Sequence, residues 1–175
     1  MDKKKIAVLF GGQSSEHVVS CMSAANVIEQ IDTLKYDMVL IGITEEGHWL
    51  KTGSVEDIRS GAWRDSRVEA VILPDATKQC IMYTEGDCRW EEKVDVVFPV
   101  LHGLYGEDGT VQGLFSLAKL PYVGCGVLSS AVSMDKLYTK IIVDDLGIRQ
   151  AAYVPVMVWK MRQDMDRVIR QVEER

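Results

Sequence analysis

Residues 6–17 read Ile6, Ala7, Val8, Leu9, Phe10, Gly11, Gly12, Gln13, Ser14, Ser15, Glu16, His17. The first five are continuously apolar rather than alternating, which is the pattern of a strand covered on both faces in a parallel sheet. Gly11 and Gly12 stop that run. From Ser14 or Ser15 the period turns helical, with Val18, Met22, Ala25 and Ile28 or Glu29 expected on one face behind a serine cap. A strand that turns on glycines straight into a helix offers backbone N–H groups at the sheet edge, where an anion can be held. The turn is neither a G-x-G-x-x-G fingerprint nor a P-loop, which needs a Lys-Ser/Thr pair after its last glycine.

Strand and helix signals alternate along the rest of the chain, with no internal repeat. Residues 36–43 are predicted as the second strand, and 94–101 as a third buried strand running into His102 and Gly103. Between them, 47–53 read as a hairpin-like piece, 54–63 as a short helix, and 68–73 and 81–84 as strands pairing around a polar turn. Downstream come a helix over 110–119, a brief fourth strand at Tyr122 and Val123, a helical turn over 129–134, and a helix over 136–146. Asp135 is expected to cap that last helix and Gly147 to stop it. Residues 152–159 read as a further strand around Pro155. Residues 161–175 read as a helix with Met161, Met165, Val168, Ile169 and Val172 on one face. No strand follows that stripe, so the chain is expected to be cut rather than finished.

Composition sets the class. The 175 residues suit one domain, or one and part of a second, and 47% hydrophobic against 26% charged residues is enough to build a core. The 20 Lys and Arg against 26 Asp and Glu give a net charge of -6, which argues against a nucleic-acid or anionic-membrane partner. Cys21, Cys80, Cys88 and Cys125 make no C-x-x-C pair and, with three histidines, no zinc spacing, so reduced thiols are expected. The apolar run after the initial lysines is too short and wrongly flanked for a signal peptide or membrane span, and a cytoplasmic location is expected.

Three constellations carry candidate chemistry. In the first, Glu16 stands at the predicted sheet edge, where a fixed carboxylate can hold an ammonium; an acid in a first helical turn also stabilises the macrodipole by roughly 0.3–1 kcal/mol with no ligand. Spacing leaves both readings open. The second is 102–113, His-Gly-Leu-Tyr-Gly-Glu-Asp-Gly-Thr-Val-Gln-Gly, where glycines interleave with a histidine and two acids at the end of a strand. Such a loop either turns on its glycines with Asp108 as a cap, or holds a ligand where open α/β sheets bind them. The third is Ser133-Met134-Asp135-Lys136. A surface lysine is the plain reading, but a lysine in a first turn opposes the helix dipole, and a phosphate contact outside the helix gives it a role.

Together, residues 6–16, 102–113 and 124–136 resemble the N-terminal part of the D-alanine-D-alanine ligase family, ATP-grasp enzymes of peptidoglycan synthesis, cell-wall biogenesis and cell shape. The 102–113 loop matches the family signature at every defined position, and the order and spacing of the three segments agree. The resemblance runs from about Lys4 through Pro155.

It implies a three-layer, doubly wound α/β domain with a mostly parallel sheet, Rossmann-like and of the kind that precedes an ATP-grasp domain, over 1–150, with 151–175 opening the central domain. It implies joining of two D-alanines through an acyl phosphate made with ATP and Mg²⁺, which the second amine then attacks. Carried over residue by residue, Glu16 holds the first D-alanine's ammonium and His102 donates to the developing oxyanion, with Gly12 and Ser15 also at the substrate. Lys136 reaches the ATP phosphates, and Gly103, Gly106, Glu107, Asp108 and Gly109 form the supporting loop. No residue matches the family's Mg²⁺ ligands, so the 175 residues alone are expected to be inactive. A homodimer through this domain is expected. A D-alanine-D-serine or D-alanine-D-lactate ligase, and a non-enzymatic ligand-binding or dimerisation module, are the alternatives.

Overall fold

A computed structural model describes residues 3–174. The chain divides after Met134 into two compact units. The expected boundary near residue 150 lies within the second of these.

In the first unit, β1 (Lys4–Gly11), β2 (Tyr36–Ile43), β3 (Trp49–Thr52), β4 (Glu69–Ile72), β5 (Cys80–Glu85), β6 (Cys88–Lys93) and β7 (Val96–Pro99) form a seven-stranded sheet. Their order is β6-β5-β4-β3-β2-β1-β7. β1 pairs in parallel with β2 and with β7. Every pairing beyond β2 is antiparallel. The sheet is therefore mixed, and the expectation of a mostly parallel one holds only across β2, β1 and β7. Connector length explains the difference: a parallel neighbour needs a crossover of about a dozen residues or more. The link from β2 to β3 spans only residues 44–48, and β5 turns into β6 on Gly86 and Asp87 alone.

Both faces of the sheet are covered, so the three-layer α/β reading stands. Ile6, Val8 and Phe10 of β1 pack toward α1 (His17–Gln30), α2 (Val55–Ser60) and a 3₁₀ turn (Ala62–Asp65). Ala7 and Leu9 point the other way, into a core shared with Val111 and Phe115 of α3 (Thr110–Leu117). α1 buries Ala25 and Ile28 as expected, but not Val18 and Met22. His17, Ser20, Cys21, Ala24, Ala25 and Ile28 face the sheet, while Val18 and Met22 remain 62% and 64% exposed. Small side chains let the helix approach the strands closely, and that gain outweighs burying two larger ones.

Smaller differences follow from local chemistry. The predicted helix over 54–63 ends at Gly61 after a Ser54 cap, and the 3₁₀ turn beyond it buries Trp63. β7 is shorter than 94–101: at its start the Asp95 carboxylate takes the Lys5 N–H (2.8 Å) and the Lys4 ammonium (2.9 Å) while the Asp95 N–H donates to the Lys5 carbonyl (2.9 Å). Tyr122 makes a single parallel bridge to Val97 rather than a strand. α4 (Val127–Met134) extends the predicted helical turn toward its N-terminus.

In the second unit, α5 (Lys136–Asp145) is capped by Asp135, which accepts from the Leu137 and Tyr138 N–H groups, and Gly147 (φ 69°) follows its end. The strand expected over 152–159 does not form; Pro155 supplies no ladder donor, and α6 (Val158–Gln163) begins within that stretch. The helix expected over 161–175 is split at Asp164, whose carboxylate accepts from the Arg167 N–H (2.9 Å) and starts α7 (Met165–Glu173) afresh. Arg175, the last residue of that prediction, lies outside the described residues.

Candidate functional site

The parallel strands β1 and β7 end side by side, and the loops that leave them build the site. After β1, the Gly12 N–H donates to the Ile43 carbonyl (2.8 Å), which holds the turn against β2. Glu16, not a serine, occupies the N-cap of α1, and its side chain makes no capping bond. The Ser14 hydroxyl instead accepts from the Glu16 N–H (3.1 Å) and donates to the His102 carbonyl (2.7 Å). One turn further along α1, the buried Ser20 hydroxyl accepts from the Gly11 N–H (2.8 Å) and donates to the Val100 carbonyl. Two serines thus pin the end of β1 to the chain leaving β7.

His17 braces the same turn from below. Its Nδ1 lies 2.8 Å from the Gly12 carbonyl and its Nε2 2.9 Å from Nη2 of Arg64. A carbonyl only accepts and a guanidinium only donates, so the ring proton sits on Nδ1 and Nε2 accepts. The ring stacks on Trp63 at a centroid distance of 6.0 Å.

The loop after β7 is folded by its own acids. Glu107 Oε2 accepts from the Gly103 N–H (2.7 Å), and the Gly106 and Glu107 N–H groups return to the Gly103 carbonyl. Asp108 accepts from the Tyr105 N–H (2.9 Å) and the Thr110 N–H (3.0 Å), which holds Tyr105 in the left-handed region at φ 64°. Burial opposes the charged form of Asp108, yet the Thr110 and Tyr105 donors outweigh it and hold the carboxyl below its ordinary range. The buried Gln112 side chain donates to the Gly106 carbonyl (2.8 Å) and ties the loop to α3. His102 presents its imidazole beside α1, with Nε2 3.2 Å from the Ser23 hydroxyl.

The two loops meet at Gly103. A Cβ built there would lie 2.7 Å from Glu16 Oε2 and 3.3 Å from the Ser14 hydroxyl, so the glycine leaves room for the Glu16 carboxylate. Among the described residues that carboxylate takes no hydrogen bond from the protein, which leaves it free for a cationic ligand. A cleft of about 340 Å³ opens between the two loops and α3, lined by Gly12, Gln13, Trp49, His102, Tyr105 and Thr110 among others; Glu16 is not among its lining residues. A second cleft, of about 360 Å³, lies on the other side of the loop between Glu107, Gln112 and the Gly124–Met134 segment.

Glu16, Gly12, His102, Gly103, Gly106, Glu107, Asp108 and Gly109 therefore belong to one pair of adjoining loops. Ser15 lies in the first of these loops and is exposed. Lys136 belongs to the second unit, exposed in the first turn of α5. Sequence reading missed Ser14, Ser20, Ser23 and His17; the visible signal was a run of polar residues on the helix face nearest the glycines. No group of three or more His, Cys, Asp or Glu among the described residues is placed to hold a metal ion. All four cysteines are free.

The family profile described as D-ala D-ala ligase N-terminus matches residues 5–125. The chain belongs to this family. Relatives of this D-Ala-D-Ala ligase N-terminal chain include the D-alanine-D-alanine ligase of Clostridium acetobutylicum, 46% identical over 99% of this chain and 48% of its own length. That of Acetivibrio thermocellus is 44% identical over 99% of this chain and 50% of its own. The chain thus spans about half the length of the curated relatives it matches. Among solved structures, a VanG D-Ala:D-Ser ligase from Enterococcus faecalis is 40% identical with a TM-score of 0.84, covering 96% of this chain and 49% of that one. A D-alanine-D-alanine ligase from Coxiella burnetii is 32% identical with a TM-score of 0.79, covering 99% and 49%. No helix among the described residues is long and apolar enough to cross a membrane.

Proposed function

We propose that this chain supplies the part of an ATP-dependent D-alanine-D-alanine ligase that holds the first D-alanine, in a cytoplasmic enzyme of peptidoglycan synthesis. The observation that carries the reading is the meeting of the exposed Glu16 carboxylate with the His102 loop at Gly103, in a chain of this family. The carboxylate takes the substrate ammonium in a charge-assisted hydrogen bond, which leaves the substrate's own carboxyl group turned away and free to react. The imidazole of His102 donates to the oxygen on which negative charge develops, and Ser23 fixes its plane. Tight loops keep both groups in register, so little reorganisation is left for the reaction itself.

ATP and Mg²⁺ belong to this reading. Lys136 suits a phosphate contact by its charge and exposure, but one lysine is not a nucleotide site, and the described residues include no metal cluster. The remaining contacts to both would come from residues outside this chain. The exposed Val18, Val19 and Met22 on the outer face of α1 support a homodimer through the first unit, which light scattering tests.

Glu16→Gln in the full-length ligase is the deciding experiment. Loss of a charged partner should raise the first D-alanine's KM roughly ten- to hundredfold and leave the KM for ATP unchanged. Equal effects on the two substrates refute the ammonium role. The similarity to a D-Ala:D-Ser ligase favours a second reading in which the acceptor is D-serine. Product analysis with D-alanine, D-serine and D-lactate as competing acceptors separates the two.

A further inference from the structure

We infer that Ser14 is a positioning residue of this site: its hydroxyl bonds directly to the backbone of Glu16 and to the backbone of His102 and holds the two at a fixed separation. The inference rests on the ligase reading of Glu16 and His102. The two residues lie 86 positions apart in sequence, on loops that leave different strands. Between these loops the Ser14 hydroxyl accepts from the Glu16 N–H at 3.1 Å and donates to the His102 carbonyl at 2.7 Å. A hydroxyl has one proton and accepts through its lone pairs, so both bonds form together and in one orientation only. Ser14 also lies against Gly103, where a built Cβ would come within 3.2 Å of the Ser14 Cβ, so the serine closes the gap between the loops.

Among the described residues no other side chain bonds to the backbone of both Glu16 and His102. Ser20 joins Gly11 to Val100 and its N–H donates to the Glu16 carbonyl (2.9 Å), which secures the strand ends and the start of α1 without reaching His102. Ser23 meets the His102 ring and orients it without reaching Glu16. Loss of the Ser14 bridge would leave the Glu16 and His102 side chains intact but free to separate. Productive binding of one substrate between them depends on their spacing, and small misplacements are costly for positioned groups.

The test is a set of full-length variants assayed for D-alanine-dependent ATP turnover: wild type, Ser14→Ala, Ser14→Thr, Glu16→Gln, and Ser14→Ala combined with Glu16→Gln. Ser14→Ala should lower kcat/KM for D-alanine by roughly tenfold, the scale of one to two lost hydrogen bonds, with the KM for ATP unchanged. Ser14→Thr keeps the hydroxyl and should restore most of the activity. Because Ser14 acts through Glu16, the double variant should be little worse than Glu16→Gln alone, whereas a merely structural serine would give additive losses. Where Ser14→Ala does not accumulate as folded protein, Ser14→Cys takes its place, similar in size but a weak donor and acceptor, with the same expectation. Wild-type kinetics in Ser14→Ala beside an impaired Glu16→Gln overturn the positioning role and leave the ligase reading standing, as do additive losses. A wild-type protein that shows no D-alanine-dependent turnover overturns the ligase reading and this inference with it.

Discussion

Gly103→Ala separates what the site costs in stability from what it contributes to function. Gly103 has a φ of 69°, and an alanine held in that left-handed region loses roughly 1–2 kcal/mol. The new methyl carbon would sit 2.7 Å from Glu16 Oε2, 3.2 Å from Ser14 Cβ and 3.3 Å from Ser14 Oγ. The carboxylate is the free end of an exposed side chain and can swing away at little cost to folding. It cannot swing away and still hold a ligand at the same point, and a displacement of about 1 Å at a positioning group costs on the order of 100-fold in rate. Folding stability should therefore fall by about 1–2 kcal/mol while kcat/KM for D-alanine falls by about two orders of magnitude. Gly86→Ala is the matched control, since Gly86 has a φ of 56° and a Cβ there would meet nothing within 4 Å. Urea titration and D-alanine kinetics on both variants of the full-length protein give the comparison. If Gly103→Ala binds and turns over D-alanine as Gly86→Ala does, the Glu16 carboxylate is not held where the geometry puts it, and the reasoning fails.

Two further outcomes test the fold beneath the site. Phe115 of α3 is fully buried in the core it shares with β1, so Phe115→Ala should cost about 3–5 kcal/mol by urea titration, and a loss below about 2 would mean the core there can collapse. Burial disfavours the charged form of Glu92, but hydrogen bonds and attraction from Lys5 and Lys51 outweigh it and lower its pKa. A lowered folded-state value means that this contribution is present above the ordinary glutamate range and is lost as pH falls through the folded value. Glu92→Gln should accordingly destabilise at neutral pH and flatten the acid limb of the stability curve; an unchanged limb would show that the two lysines do not hold the charge.

The buried strand β1 and the glycine turn were legible because a continuous apolar run, a Gly-Gly stop and a change to helical period are all local signals. The sheet's mixed character was not, since strand direction depends on connector length and on which neighbour offers a free ladder, and the charged β6 carries no apolar alternation. Its visible signs were the hairpin-like piece over 47–53 and the pairing of 68–73 with 81–84 around a polar turn, the second of which is the antiparallel pair β4 and β5. The motifs single out Glu16 and His102 as candidates, whereas Ser14 reads only as a possible helix cap, because its partner stands at His102, far away in the sequence. For α1 the large apolar residues misled: Val18 and Met22 look like core, and the buried positions went to serine, cysteine and alanine.

The mixed sheet leaves the protein with a margin that can be altered by itself. Every residue of the candidate site in the first unit hangs from loops at β1 and β7, and β5 lies four strands from β1, roughly 19 Å across the ladder at the usual strand spacing. Around Gly86 at the tip of the β5–β6 hairpin the space is open. A short epitope or a fluorophore grafted into that tip would travel with the sheet while leaving the two candidate loops untouched, and the domain could be tethered or tracked by one margin while ligand binding is tested at the other.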